Sequence, residues 1–220
     1  MESKNQNIDE IKEQVASLEV TEKGEEQIKE EKVKKEKTKK EGKKPAPPAQ
    51  PLNELYELFK TAELRVGEIV EAKPLPDSDK LYIERINMGD HERVILSGLQ
   101  KFIPVEGMSG KVIVFCNLKP RKLAGQESNG MVLATSDEKH ETVELLRPSN
   151  DAKVGELVTL DVEDFVHSAP ESKFINSKNF DKFLVHLRSD ENGSPRFEKY
   201  LLKTATGPLA SSAITNGNIR

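Results

Sequence analysis

The spacing of apolar positions changes period along the chain. Between residues 8 and 18, Ile8, Ile11, Val15 and Leu18 recur every three or four positions with acids between them, which predicts one seam of a short helix. Isolated helices need about 12–15 residues to persist in water, so this segment reads either as a partner-docking helix or as a solvated acidic tail. The prolines of "PAPPAQP" at 45–51 cannot continue any helix and mark a linker. After it, Leu52, Leu55, Tyr56 and Phe59 in "LNELYELFK" share a second helical face.

From residue 62 the period falls to two. Short apolar runs at 62–73, 80–89, 92–99, 111–118, 129–136 and 142–149 are separated by turn chemistry such as "PLPDSD", "MGDH" and "EGMSG". This pitch predicts a mainly β fold, and a five-stranded Greek-key barrel of the OB-fold type fits the roughly 90 residues involved. The expected organisation is an acidic, helical or disordered segment at 1–31 and a Lys-rich and Pro-rich linker at 32–51. An OB-fold at 52–162 and a β-rich C-terminal subdomain at 163–220 complete it.

Composition supports an extended charged arm, since 33% of residues are charged and the mean hydropathy is −0.63. No run of 18 apolar residues occurs, and "MESKNQNIDE" has neither a cationic start nor an apolar stretch, so no membrane partner is expected and the expected compartment is cytoplasmic. The single cysteine, Cys116, excludes an intrachain disulfide and a CxxC motif, and its apolar surroundings place it in the core. No metal and no cofactor is expected.

The net charge of −4 hides segregation. Residues 1–31 carry ten acids and four lysines, whereas 32–44 carry eight lysines and two glutamates. Lys34, Lys35, Lys37, Lys39, Lys40, Lys43 and Lys44 therefore form a basic arm, which either attracts a polyanion or pairs with the acidic segment before it. A second cationic spot lies in "KVIVFCNLKPRKLAGQESNG", where an apolar strand runs into Lys119, Arg121 and Lys122 with Pro120 among them. Arginine grips phosphate bidentately and lysine acts as a mobile point charge, a mixture suited to a nucleic-acid backbone. Ser128 and Asn129 are candidate uncharged contacts to sugar or phosphate. Lys80, Arg65 and Lys101 are candidate rim cations, and Tyr82 is a candidate stacking residue for an unpaired base.

The blocks "LRVGEIVEAKPLPDSDKLYIERINMG", "SGLQKFIP", "CNLKPRKLAGQESNGMVLATS" and "LLRPSNDAKVGELV" occur in an order that resembles the tRNA-binding domain of endothelial monocyte-activating polypeptide II. Some methionyl- and tyrosyl-tRNA synthetases and free-standing tRNA-binding proteins carry the same domain. The resemblance covers about residues 60–160; the remainder resembles, more weakly, the extra C-terminal subdomain of the longer members. It implies an OB-fold that binds tRNA by shape and backbone without catalysis, serving as an auxiliary factor that delivers or retains tRNA for synthetases. It also implies a monomeric C-terminal module, because the extra subdomain covers the surface through which shorter members dimerise.

Catalysis has no support in the motifs. His91, His140, His167 and His186 are scattered, and no GxSxG, Walker A, GxGxxG, HIGH or KMSKS signature is present. Two other functional classes remain. One is a synthetase-complex scaffold with little tRNA binding of its own, docking through Ile8, Ile11, Val15 and Leu18. The other is a cytokine-like secreted polypeptide: "RVGEIVE" at 65–71 resembles the heptapeptide associated with that activity but departs from it at Glu68 and Glu71.

Overall fold

A single strand, β1 (Leu64–Pro74), organises the barrel by serving two partners. Its first half pairs with β4 (Gly110–Phe115) and its second half with β2 (Tyr82–Asn87), with a register shift between Ile69 and Glu71. Such a bulge bends and twists a strand, which lets one strand belong to both walls of a barrel. The antiparallel sheet runs β3-β2-β1-β4-β7, where β3 is Glu92–Ser97 and β7 is Met131–Val132. Between β4 and β7 rises a separate two-stranded ribbon, β5 (Arg121–Leu123) and β6 (Gln126–Ser128). Two bonds bring β3 round to the far side and nearly close the barrel: Leu96 N–H to Ser128 Oγ and Asn129 N–H to the Val94 carbonyl, each at 2.9 Å.

The computed structural model describes residues 52–220 apart from Asp77, Glu171 and Ser172, all within one compact unit, Gln50–Arg220. The docking seam at Ile8 to Leu18, the basic arm and the proline linker lie outside the described residues.

The run "VIVF" in β4 has no alternation because both of its faces are covered. Val112 and Val114 point into the barrel with Ile86, Ile95, Met108 and Val132, whereas Ile113 and Phe115 point outward into a second core. Gly67 of β1 lies inside the barrel, where a Cβ would stand 2.7 Å from Ile86 Cγ2 and 3.0 Å from both Met88 Sδ and Val114 Cγ2.

The second core joins the barrel to everything outside it. Helix α1 (Leu52–Lys60) contributes Leu55, Leu58 and Phe59, and α2 (Ser177–His186) contributes Phe183. Phe59, Phe183 and Phe197 pack with ring centroids 4.8–5.6 Å apart, and Phe115 meets Phe183 at 5.5 Å. Burying four phenylalanines between barrel and C-terminal segment contributes about 1.5–3 kcal/mol each, which explains why the two do not separate.

The remaining strands are β8 (Ala134–Ser136), β9 (Val143–Leu145), β10 (Thr159–Leu160), β11 (Leu187–Ser189), β12 (Pro195–Phe197), β13 (Tyr200–Thr204), β14 (Gly207–Pro208) and β15 (Asn218–Ile219). Their sheet runs β10-β13-β12-β11-β15-β8-β9, with β14 on β13. The ladder thus crosses the expected division at 162/163, because β15 pairs with β8 of the barrel. The fold is mainly β as expected, and the C-terminal part is β-rich with one unforeseen helix, α2. Asn176 caps α2, its Oδ1 accepting from Asn179 N–H at 2.8 Å.

Candidate nucleic-acid interface

The cationic cluster is not a plain loop. Leu123 pairs with Gln126 across a two-residue turn in which Ala124 (φ 46°) and Gly125 (φ 82°) both have positive φ, as in a type I′ hairpin turn. The resulting ribbon holds Arg121 opposite Ser128 and Lys122 opposite Glu127. Lys119, Arg121 and Lys122 are exposed, and none makes an ion pair or side-chain hydrogen bond among the described residues. Three uncompensated cations therefore stand on a short projection whose backbone is tied at both ends.

Arg93, which the sequence reading missed, ties them. Its Nη1 donates to the carbonyl of Cys116 at 2.6 Å and to that of Asn129 at 3.2 Å, the residues where the chain leaves the barrel for the ribbon and returns. Its Nε donates to His91 Nε2 at 3.1 Å, so Nδ1 of His91 carries the proton and donates to Asp90 Oδ1 at 2.5 Å. That bond holds the Asp90 carboxyl below its usual range. No carboxylate among the described residues forms an ion pair with Arg93. The carbonyls it ties lie 23 and 36 residues away, so no local signal could have found that role.

Two clefts open beside Arg93. One, of about 630 Å³, lies between β3 and the ribbon base on one side and Pro170, Lys173 and Phe174 on the other. The second, of about 550 Å³, shares Glu63, His91, Arg93 and Cys116 and extends to Arg65 and Lys153. Cys116 is itself 4% exposed, and burial pushes its thiol up to about 12.

The other candidate residues divide. Lys80 is exposed, and the Gln100 N–H to Lys80 C=O bond brings it beside Lys101, whose ammonium is 3.7 Å from Asp79. So exposed a pair contributes little, and Lys101 stays free to exchange partners. Arg65 is held by Glu63 at 2.6 Å and by the Gly155 carbonyl at 2.9 Å. Asn129 closes the barrel through its backbone while its side chain remains half-buried at the 630 Å³ cleft. Two expectations are overturned. Tyr82 cannot stack on a base, because its ring is 4% exposed in the barrel core and its hydroxyl donates to the Ile103 carbonyl at 2.9 Å. Ser128 cannot meet RNA, because it is equally buried and its Oγ accepts from Leu96 N–H and donates to the Gly130 carbonyl at 3.2 Å. Alternation identifies two faces of a strand but not which one is inside.

The outward face of the first strands carries little net charge, with Arg85 3.6 Å from Glu71 and 3.3 Å from Glu92. Among the described residues no group of three or more His, Cys, Asp or Glu side chains is arranged to hold a metal ion.

An OB-fold barrel with an uncompensated cationic ribbon at its rim defines a class, the polyanion-binding barrels. Residues 64–157 match the model of the family described as "Putative tRNA binding domain". The cytoplasmic methionine–tRNA ligase of Arabidopsis thaliana is 36% identical over 181 residues, covering 81% of this chain and 22% of the ligase. The cytoplasmic tyrosine–tRNA ligase of Gallus gallus is 34% identical over 161 residues, covering 71% and 30%. Thus the chain spans less than a third of these ligases' length. The crystal structure of the C-terminal domain of Plasmodium vivax p43 superposes with a TM-score of 0.65 at 28% identity, covering 74% of this chain and 98% of that domain.

Proposed function

We propose that the chain is a non-catalytic tRNA-binding protein acting in the cytoplasm as an auxiliary factor that delivers or retains tRNA for aminoacyl-tRNA synthetases, methionyl or tyrosyl in type. The observation that carries this reading is the ribbon: Lys119, Arg121 and Lys122 are exposed with no acid partner among the described residues, on a backbone that Arg93 holds at both ends. Cations on a pre-ordered projection lose little conformational freedom when they meet phosphates. Lys80 and Lys101 form a second contact point. The basic arm from Lys34 to Lys44 adds salt-sensitive attraction through counterion release and, tethered to the barrel, raises its effective concentration on the same tRNA. Ile8, Ile11, Val15 and Leu18 dock the synthetase. The second core occupies the outer faces of β1 and β4, which favours a monomeric C-terminal module.

The test is binding of labelled bulk tRNA to the full chain and to the Lys119→Ala/Arg121→Ala/Lys122→Ala variant over a salt series. The variant should bind at least about tenfold more weakly, with a log–log salt slope shallower by roughly two to three, one unit for each lost phosphate contact. Equal affinity and slope would refute the ribbon as the phosphate site. If neither protein binds, the chain is left as a synthetase-docking scaffold.

A further inference from the structure

We infer that the 630 Å³ cleft at the ribbon base receives one unpaired nucleotide of the bound RNA. The inference rests on the RNA-binding reading above and adds a base pocket to its phosphate site.

Three features of the cleft lead there. Its volume falls within the roughly 300–1,000 Å³ of small-molecule sites, far more than a single phosphate needs. Its walls are apolar where flat contact is available: Val94 is 39% exposed on β3, with Leu118 and Pro120 beside it. The exposed part of Val94 offers a base face an apolar partner.

The polar groups suit a nucleotide rather than an apolar ligand. Arg93 lies at this cleft with its guanidinium plane set by the Cys116 and Asn129 carbonyls and His91, and Nη2 has no partner among the described residues. Glu63 and Glu92 also line the cleft but pair with Arg65 and Arg85, so Arg93 has no carboxylate partner among the described residues, and a half-buried cation so placed favours an anionic or electron-rich occupant. The Asn129 amide can donate and accept along a base edge, and Lys173 adds charge from the opposite wall. Pro120, a lining residue, lies between Lys119 and Arg121 in sequence, so a base inserted there keeps its flanking phosphates near both cations. Helical RNA hides its bases, so the occupant is an unstacked nucleotide from a loop or end.

The test uses the full chain, an RNA hairpin with 2-aminopurine at an unpaired loop position, and a blunt duplex of the same stem. The hairpin should bind about tenfold more tightly than the duplex, and the 2-aminopurine emission should change on binding. Val94→Asn and Lys173→Ala should each remove most of the hairpin preference and the emission change while leaving duplex affinity unaltered. Lys173 is exposed, so its variant remains informative if Val94→Asn unfolds the barrel. Equal hairpin and duplex affinities, or a preference that survives Lys173→Ala in a folded protein, would overturn the base pocket and leave the ribbon intact. Absence of binding to either RNA by the unaltered chain would overturn the RNA-binding reading with it.

Discussion

Ser128 accepts the backbone N–H of Leu96 through its side-chain oxygen at 2.9 Å, and this bond joins β3 to the end of the ribbon. A hydroxyl here performs the task that a strand ladder performs elsewhere in the barrel. Ser128→Ala leaves a buried N–H without a partner and should cost about 1–3 kcal/mol. A lower urea midpoint, with tRNA affinity unchanged for the folded fraction, is the expected result. Lost affinity at unchanged stability would mean that Ser128 meets RNA directly.

Gly67 is required by space rather than by its backbone angle. A methyl group there would press on Ile86, Met88 and Val114 in the barrel core. Gly67→Ala should destabilise the protein by about 1–3 kcal/mol, read as a lower midpoint in chemical unfolding. Substitution at Gly125 by Asn, which tolerates positive φ at an open turn, should change stability by well under about 1 kcal/mol and serves as the control.

Glu84 is fully buried in β2, with Oε1 accepting from Ser97 Oγ and Oε2 unpartnered among the described residues. Burial raises its carboxyl from 4.5 to about 7, against the opposing effect of the Ser97 bond. Below pH 4.5 both folded and unfolded chains hold the proton. Between 4.5 and 7 only the folded state keeps it, so stability falls as pH rises, by about 3 kcal/mol in total, and levels off above 7. Urea midpoints of the protein and of Glu84→Gln, compared from pH 4.5 to 8, should show this decline only with glutamate present. Parallel profiles would refute it.

Cys116 should resist alkylation in the native state. A thiol at about 12 rather than 9 has roughly a thousandfold less thiolate at pH 8, and its exposure is only 4%. Labelling by iodoacetamide should track unfolding, with rapid reaction only in denaturant. Rapid labelling of the folded protein would mean that the ribbon base opens readily at Cys116.

The barrel was legible because period-two alternation and turn chemistry are local. The runs at 62–73 and 111–118 form β1 and β4, and the apolar surroundings of Cys116 put it in the core, where it lies. Within the candidate site, Lys119, Arg121 and Lys122 were visible as a charge cluster, and the family resemblance made them candidates for phosphate contact. Their ribbon was not, because "AG" is a weaker hairpin signal than Asn-Gly and Ala124 takes a positive φ that alanine rarely adopts. Helix α2 escaped notice for a related reason. Its Phe180, Phe183 and Leu184 stripe is only two turns long, and it is anchored by Phe115 of a distant strand.

The sequence by itself determined the main barrel strands, the segregation of charge and the match of residues 64–157 to a family model, since each is written in neighbouring residues. Only the tertiary structure decided which cations are free and which are held, and which polar side chains serve the fold. Arg93 became the tie of the ribbon, Arg65 was held by Glu63 and Gly155, and Tyr82 and Ser128 were withdrawn into the barrel. The physical reason is that a side chain's availability depends on burial and on partners far along the chain. Those are set by how the sheet closes, and local sequence carries no record of it.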